Sequence, residues 1–416
     1  MYRSALRDGY VRGVTPRPTA DPELGARIRA RRLLRGWSIR YAASRAGVSH
    51  ATWSRIERGL QAADNRFTLA RLAEALECSP ADLAGAPVPV TDRAAAAARA
   101  ALPGIRRALV DIDPAEAAAG PAPPLDVLRD TVTLADQLLL ACDYAGAARL
   151  LPDLLHHLHA ESAGPDRTRA LRLLCEAGFI ASSWLRNLGH PAEAWLGAER
   201  CHAAALAAGD PVLLGYAAYA QANAATMCGS FQRGLTLAER AIDELRPHAA
   251  RPGALQMLGS LHLVSAYASL GRRRLDDCRD WLAEAGGVAR RTGETDTLGL
   301  FFGPTNVDIW TISIETHLGD PGRAVDAARH TTPAAIPAGL RQVFYYADTA
   351  RALARLRGTD RSAIRYLLTA ERLAPQHVHT STEVAETVRL LLERSDRRAG
   401  GAELRGLAER MRAGRG

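Results

Sequence analysis

Apolar positions are ordered first at Asp21-Pro22, where Asp can cap a helix and Pro suits its first turn. Leu24, Ile28, Arg31 and Leu34 then run along a short helix that Gly36 can end. Ser38 caps a second helix through Arg45, which Gly47 breaks, and Ser49 caps a third that ends at Gly59. Thr68 to Leu76 reads as a fourth helix, and Ser79-Pro80 opens a short fifth. Residues 21–85 are therefore expected to form a small all-helical domain. Residues 1–20 carry no helical or alternating pattern, contain Pro16 and Pro18, and are expected to be a mobile basic arm.

Between 86 and 125 the pattern gives way to seven prolines around an alanine run, Ala94 to Ala98. Alanine favours helix, but this run offers no amphipathic face, so the segment reads as an interdomain linker containing one helix. From 126 to 414 the chain is helical almost without relief, with no convincing strand alternation. A turn element recurs there, a small or polar pivot followed five residues later by a short side chain: Asp143/Ala148, Gly189/Ala194, Gly229/Gly234, Gly271/Asp276, Gly319/Ala324 and Gly358/Ala363. The pivots lie 46, 40, 42, 48 and 39 residues apart, each between two helical stretches. One helical hairpin cannot bury both of its faces, so a stacked superhelix is expected and the whole chain is all-α.

Composition adds one asymmetry. The 416 residues are 47% hydrophobic and 24% charged, as in soluble globular proteins, and the formal charge is +8. Up to Gly85 there are 15 Arg against 8 acids, a balance of +7, which leaves +1 for the other 331 residues. All 53 basic residues are Arg, which reads first as codon bias. Bias would not leave the acids behind in one region, so the segregation points to a polyanionic partner for the N-terminal domain. The six cysteines lack any C-x-x-C pair and read as small buried thiols in a reducing compartment. No secretory signal core or membrane-length apolar stretch is evident, and a cytoplasmic location is expected.

The segment WSIRYAASRAGVSHATWSRIERG, residues 37–59, resembles the helix-turn-helix of the Xre family of phage-repressor-like regulators, and the likeness continues through FTLARLAEALECSPADLAG. The Ala-Gly-Val-Ser turn, the Ile-Glu-Arg-Gly ending and the following Leu-x-x-Leu-Ala-x-x-Leu pattern occur in the family's order. The resemblance implies a lambda-repressor-like five-helix domain that lays its third helix in the major groove of double-stranded DNA. Position by position it puts His50, Ala51, Ser54 and Arg55 toward base edges, with Ser49 and Thr52 beside phosphate or base edge. Arg40 and Arg58 meet phosphates, joined by one or more of Arg3, Arg7 and Arg12 if the arm folds onto the duplex. Arg55 is the strongest base reader, since a guanidinium can bond guanine O6 and N7 together. Many relatives start the second helix with a phosphate-binding Gln, whereas this chain has Ile39, so that bond is expected to be missing or supplied by Arg40. Trp53 and Ile56 point inward in this register, and the family implies an ion pair of Arg32 with Glu57.

The later repeats resemble degenerate tetratricopeptide repeats, which keep the pivot and the short residue but exceed the 34-residue spacing and lack most of the aromatic signature. The likeness implies a concave face lined by the first helix of each pair. Reading back from each pivot, the ligand-groove candidates are Glu176, Phe179, Ser183, Asn187, Tyr216, Tyr219, Asn223, Asn306, His317 and Tyr345. Side-chain amides there would bond a peptide backbone, and the aromatics would supply apolar contact.

The clustered His156, His157 and His159 and the pair His377/His379 lack a placed carboxylate or Cys and read as solvated, so no metal and no cofactor is expected. No catalytic cluster is visible, which argues against an enzyme, and Arg272-Arg273-Arg274 reads as a solvated repeat tip. The expected partners are double-stranded DNA, a second copy of the chain, and a peptide or small-molecule ligand, with no membrane. The function expected is a DNA-binding transcriptional regulator that senses a ligand or dimerises through its repeats. The competing expectation is a DNA-tethered scaffold whose repeats bind a protein partner.

Overall fold

A computed structural model describes residues 22–61, 72, 75–76, 83, 93–113, 122–271, 275–395 and 402–413. The basic arm with Arg3, Arg7 and Arg12, nearly all of the fourth and fifth helices of the first domain, and Arg272 to Arg274 lie outside them. Among the described residues every regular element is helical. The chain divides into two units, Met1–Pro89 and Val90–Gly416.

The first unit holds α1 (Pro22–Leu34), α2 (Ile39–Arg45) and α3 (His50–Glu57). Gly36, Gly47 and Gly59 each take positive φ at the expected breaks. Leu24, Ile28, Ala42, Ala43, Trp53 and Ile56 share one core with Leu72, Ala75, Leu76 and Leu83. Gly25 lets α1 cross the end of α3, because a Cβ there would fall 2.4 Å from the Ile56 carbonyl oxygen.

The second unit opens with α4 (Arg93–Asp111) and continues as hairpins: α5 (Leu125–Leu140) with α6 (Tyr144–Glu161), α7 (Arg167–Asn187) with α8 (Pro191–Ala208), α9 (Pro211–Met227) with α10 (Phe231–Leu245), α11 (Ala254–Leu270) with α12 (Leu275–Thr292), α13 (Pro304–Leu318) with α14 (Pro321–His330), and α15 (Gly339–Leu353) with α16 (Asp360–Leu373). Three further helices, α17 (Pro375–Thr380), α18 (Thr382–Ser395) and α19 (Ala402–Ala413), pack on the last pair. Each pivot falls between the helices of a hairpin, and the short residue five positions on packs back against the preceding helix. Ala148, Ala194, Ala324 and Ala363 are buried, and a Cβ on Gly234 would lie 2.3 Å from Thr226 Oγ1. Asp276 is the exception, being exposed. Helices α7 and α8 also cross closely: Cβ atoms on Gly178 and Gly197 would each come within 2.8 Å of a facing backbone nitrogen, and Cys175 Sγ sits 3.4 Å from Cys201 Sγ.

Two expectations need correction. The helix at 93–111 is no linker element: it packs on α6 and α8, and Ala98, Ile105, Ala108, Leu109 and Ile112 are buried in the main core of the repeats. The stripe at 98, 105, 109 and 112 is helically spaced, and it extends beyond the alanine run that suggested a featureless helix. His159, His377 and His379 are buried rather than solvated, satisfied by the Asp113 carbonyl, the Tyr144 hydroxyl and the Glu371 carboxylate.

Successive first helices contact one another, α5 to α7 to α9 to α11 to α13 to α15, forming an inner layer. The superhelix then closes on itself. Helix α15 meets α5, with Gly339 so near that a Cβ would lie 3.3 Å from the Leu140 carbonyl oxygen. Tyr144 Oη and His377 Nδ1 stand 2.9 Å apart across 233 residues of sequence. Burial pulls the His377 pKa down to about 4, which keeps its ring neutral at this seam.

Candidate nucleic-acid interface and the inner wall of the repeats

The turn between α2 and α3 is built locally. Gly47 turns the chain with φ +63°, Val48 N–H donates to the Ala43 carbonyl at 3.0 Å, and Ser49 caps α3 by accepting from Thr52 N–H at 3.0 Å. The Ser49 and Thr52 hydroxyls are 2.8 Å apart. Ser38 caps α2 in the same way, from Tyr41 N–H at 3.1 Å.

One face of α3 is fixed from below. Trp53, Ile56 and Glu57 are buried, and Glu57 accepts from Arg32 Nε at 2.6 Å, Arg32 Nη2 at 2.9 Å and Trp53 Nε1 at 2.5 Å. Arg32 Nη1 donates to the Trp37 carbonyl at 2.7 Å, so the guanidinium ties the first turn to α3. The Glu57 hydrogen bond is the main cause of the raised Arg32 pKa. This is the ion pair that the family resemblance implied, and a fork-to-carboxylate geometry suits a charge pair removed from water.

The opposite face of α3 is open. His50, Ala51, Arg55 and Arg58 are exposed and Thr52 and Ser54 half-buried, a surface that continues onto exposed Ser49 and Arg40. Arg58 Nε donates to the Ser54 carbonyl at 3.3 Å. Arg55 Nε donates to Gln61 Oε1 at 3.0 Å, which holds the guanidinium from its inner nitrogen and leaves the Nη pair directed away from that bond. Gln61 had no signal in the sequence, because it lies past the helix end and outside any periodic pattern. Ile39, where relatives carry Gln, is half-buried against the core of this unit, so the position serves packing instead.

The groove candidates differ in setting, and most of them are buried with partners inside the unit. Phe179 stacks on Tyr216 at 4.0 Å and lies flat toward Tyr219 at 6.3 Å, so the three aromatics, all buried, bury one another. Asn223 Nδ2 donates to its own helix at Tyr219 O, 2.8 Å, and Asn306 Nδ2 donates to Leu300 O at 3.0 Å, so these donors are already engaged. Tyr345 belongs to the core among α13, α14 and α15 and gives its hydroxyl to Ala328 O at 3.0 Å. Ser183 is buried. Glu176 is half-buried, with Arg172 at 3.5 Å, and burial raises its pKa. Burial first, and the charge of Glu176 in addition, push Asp136 on α5 up to about 6. His317 faces Arg351 Nη2 and Glu383 on α18, and Arg351 Nη1 reaches Glu383 at 2.6 Å. His317 and Arg351 hold Glu383 down to about 2 against the opposing effect of burial. Asn187 is half-buried beside the Tyr144 phenol.

Two open hollows, of 390 and 600 Å³, lie elsewhere on this unit. Arg172 pairs with Asp210 at 3.9 Å in the first, and Arg394 with Asp360 at 3.3 Å in the second. Among the described residues no group of three metal-capable side chains converges, and no helix is long and apolar enough to cross a membrane.

The comparison with curated proteins gives no match. Over residues 23–85, however, the chain matches the family model described as a helix-turn-helix domain, which supports a DNA-binding regulator and agrees with the open face of α3.

Proposed function

We propose that the chain is an Xre-type transcriptional regulator acting in the cytoplasm, with its N-terminal unit reading double-stranded DNA and its tetratricopeptide-like repeats sensing a ligand. The observation that carries this reading is α3 itself, whose exposed polar stripe stands over a rigid support of Trp53, Ile56 and the Arg32–Glu57 pair. A helix locked from beneath can place Arg55 and Ser54 at base edges while Arg40, Ser49 and Arg58 bond phosphates, with His50, Ala51 and Thr52 filling the groove between. Two such heads on related half-sites about 34 Å apart would multiply specificity, so the working form is a homodimer. Ligand binding in the repeats then shifts operator affinity.

The test is Arg55→Ala measured on an operator selected from random duplexes. The expected loss is ~1–3 kcal/mol with relaxed base preference at one position. An equal loss on unselected DNA would reduce Arg55 to a phosphate contact.

A further inference from the structure

The chain beyond α3 folds back over the helix and brings a side chain to Arg55. Gly59 takes φ +64°, the left-handed conformation that closes a helix C-terminus. Gly59 N–H then donates to the Ile56 carbonyl at 2.9 Å, and Leu60 N–H to the Arg55 carbonyl at 2.8 Å. The second of these bonds returns the backbone to Arg55, so that the next residue, Gln61, stands beside the Arg55 side chain. There Gln61 Oε1 accepts from Arg55 Nε at 3.0 Å. Arg55 is therefore held twice by one short segment, at its carbonyl by Leu60 and at its guanidinium by Gln61. Arg58 is held differently, since its Nε reaches only the Ser54 carbonyl of its own helix, at 3.3 Å.

Which nitrogen is held decides what Arg55 can read. A guanidinium offers two forked edges, one made of Nε with an Nη group and the other of the two Nη groups. Gln61 occupies Nε and with it the first edge, which leaves the second for a partner with two adjacent acceptors. Guanine O6 and N7 are such a pair in the major groove. Arg55 is exposed, and an exposed arginine that nothing holds samples many rotamers, reaching phosphates and neighbouring bases as readily as one guanine. Fixing the fork before the duplex arrives lowers the ordering cost of one contact and denies the others. Glutamine is neutral, so it alters which base is read without altering the attraction of the helix for a polyanion.

We propose that Gln61 is a specificity-determining residue, which positions Arg55 so that its two Nη groups read one guanine end-on, and that the operator half-site carries guanine at the base pair facing Arg55. Gln61 acts through Arg55 and is a positioning residue. The proposal rests on the reading of α3 as the helix that lies in the major groove, and it names the base and the group that enforces the choice.

Selection from random duplexes with full-length wild type, Gln61→Met, Arg55→Ala and the double variant tests it, followed by affinities on the operator with each base at the position that Arg55→Ala relaxes. Methionine matches glutamine in length and lacks the amide. The wild type is expected to prefer guanine there, and Gln61→Met to lower the ratio of guanine to next-best affinity by about threefold or more. Affinity for random duplex and the melting temperature of the N-terminal unit are expected to stay at wild-type values. In the Arg55→Ala background Gln61→Met is expected to change no base preference, because the group it positions is gone. A preference for a base other than guanine, an effect of Gln61→Met that persists without Arg55, or an equal loss on operator and random duplex would overturn the proposal, the last making Gln61 a phosphate contact. If Arg55→Ala relaxes the preference and Gln61→Met does not, the reading of α3 stands and only the proposal falls. If the wild type selects no sequence at all, both fall together.

Discussion

The two units use arginine in opposite directions. In the N-terminal unit one guanidinium, Arg32, is sunk into the core to brace α3, and Arg40, Arg55 and Arg58 are turned out to solvent. In the repeats the net charge is almost nil, yet Arg351 is buried where α15 and α18 meet, paired with Glu383. Outward charge on a rigid helix suits a long polyanion that is met edge-on. Inward charge paired with an acid on another helix ties distant helices of the repeats together. Composition alone, all Arg and no Lys, would not have separated these uses.

The sharpest way to break the comparison is to remove the brace. Glu57→Ala leaves Arg32 buried without its carboxylate, and breaking such a pair costs about 3–5 kcal/mol. Calorimetry is expected to show the transition of the N-terminal unit falling or vanishing while that of the repeats is unmoved. A common shift of both would mean that the units do not melt independently. The converse lesion is Gly178→Val, whose Cβ would lie 2.8 Å from the Cys201 nitrogen. Overpacking of this kind costs ~1–3 kcal/mol, and here it should lower only the repeat transition.

Buried titratable groups also give the repeats a pH dependence. His377 is held at about 4 in the folded chain against 6.5 unperturbed, so its neutral form adds stability above about pH 6.5 that is lost as pH falls toward 4. Asp136 is raised to about 6 from 3.8, so its contribution is full below pH 3.8 and is lost as pH rises through 6. Asp136→Asn is therefore expected to raise the repeat melting temperature at pH 7.5, by ~2–4 °C for each kcal/mol recovered, with the gain vanishing at pH 4. His377→Gln should flatten the acid-side loss. A gain from Asp136→Asn that persists at pH 4 would contradict the assignment.

What the sequence disclosed and what it concealed follow from range. The DNA-binding unit was legible because its signals are local: Ser38 and Ser49 cap the helices that follow them, and Gly47 makes the turn between. The hairpin pivots were legible for the same reason. The lining of the repeats was not, because closure joins residues 233 positions apart, and no period along the chain announces it. The bonding of the amides was hidden for a related reason. Asn223 is buried and turns its donor back to its own helix, a choice that periodicity cannot distinguish from an open amide. Helix α4 was hidden although Ile105, Ala108 and Leu109 display its buried face, because the alanine run upstream masks that face over the first half of the segment.

The salt dependence of DNA affinity in matched variants tests the division most directly. Arg40→Gln and Arg58→Gln each remove one outward charge, and the slope of log affinity against log salt is expected to fall by ~0.9 for each phosphate left unneutralised. Arg186→Gln, on α7 of the repeats, is expected to leave that slope at the wild-type value. A slope unchanged by Arg40→Gln and Arg58→Gln together, or reduced by Arg186→Gln, would contradict the account.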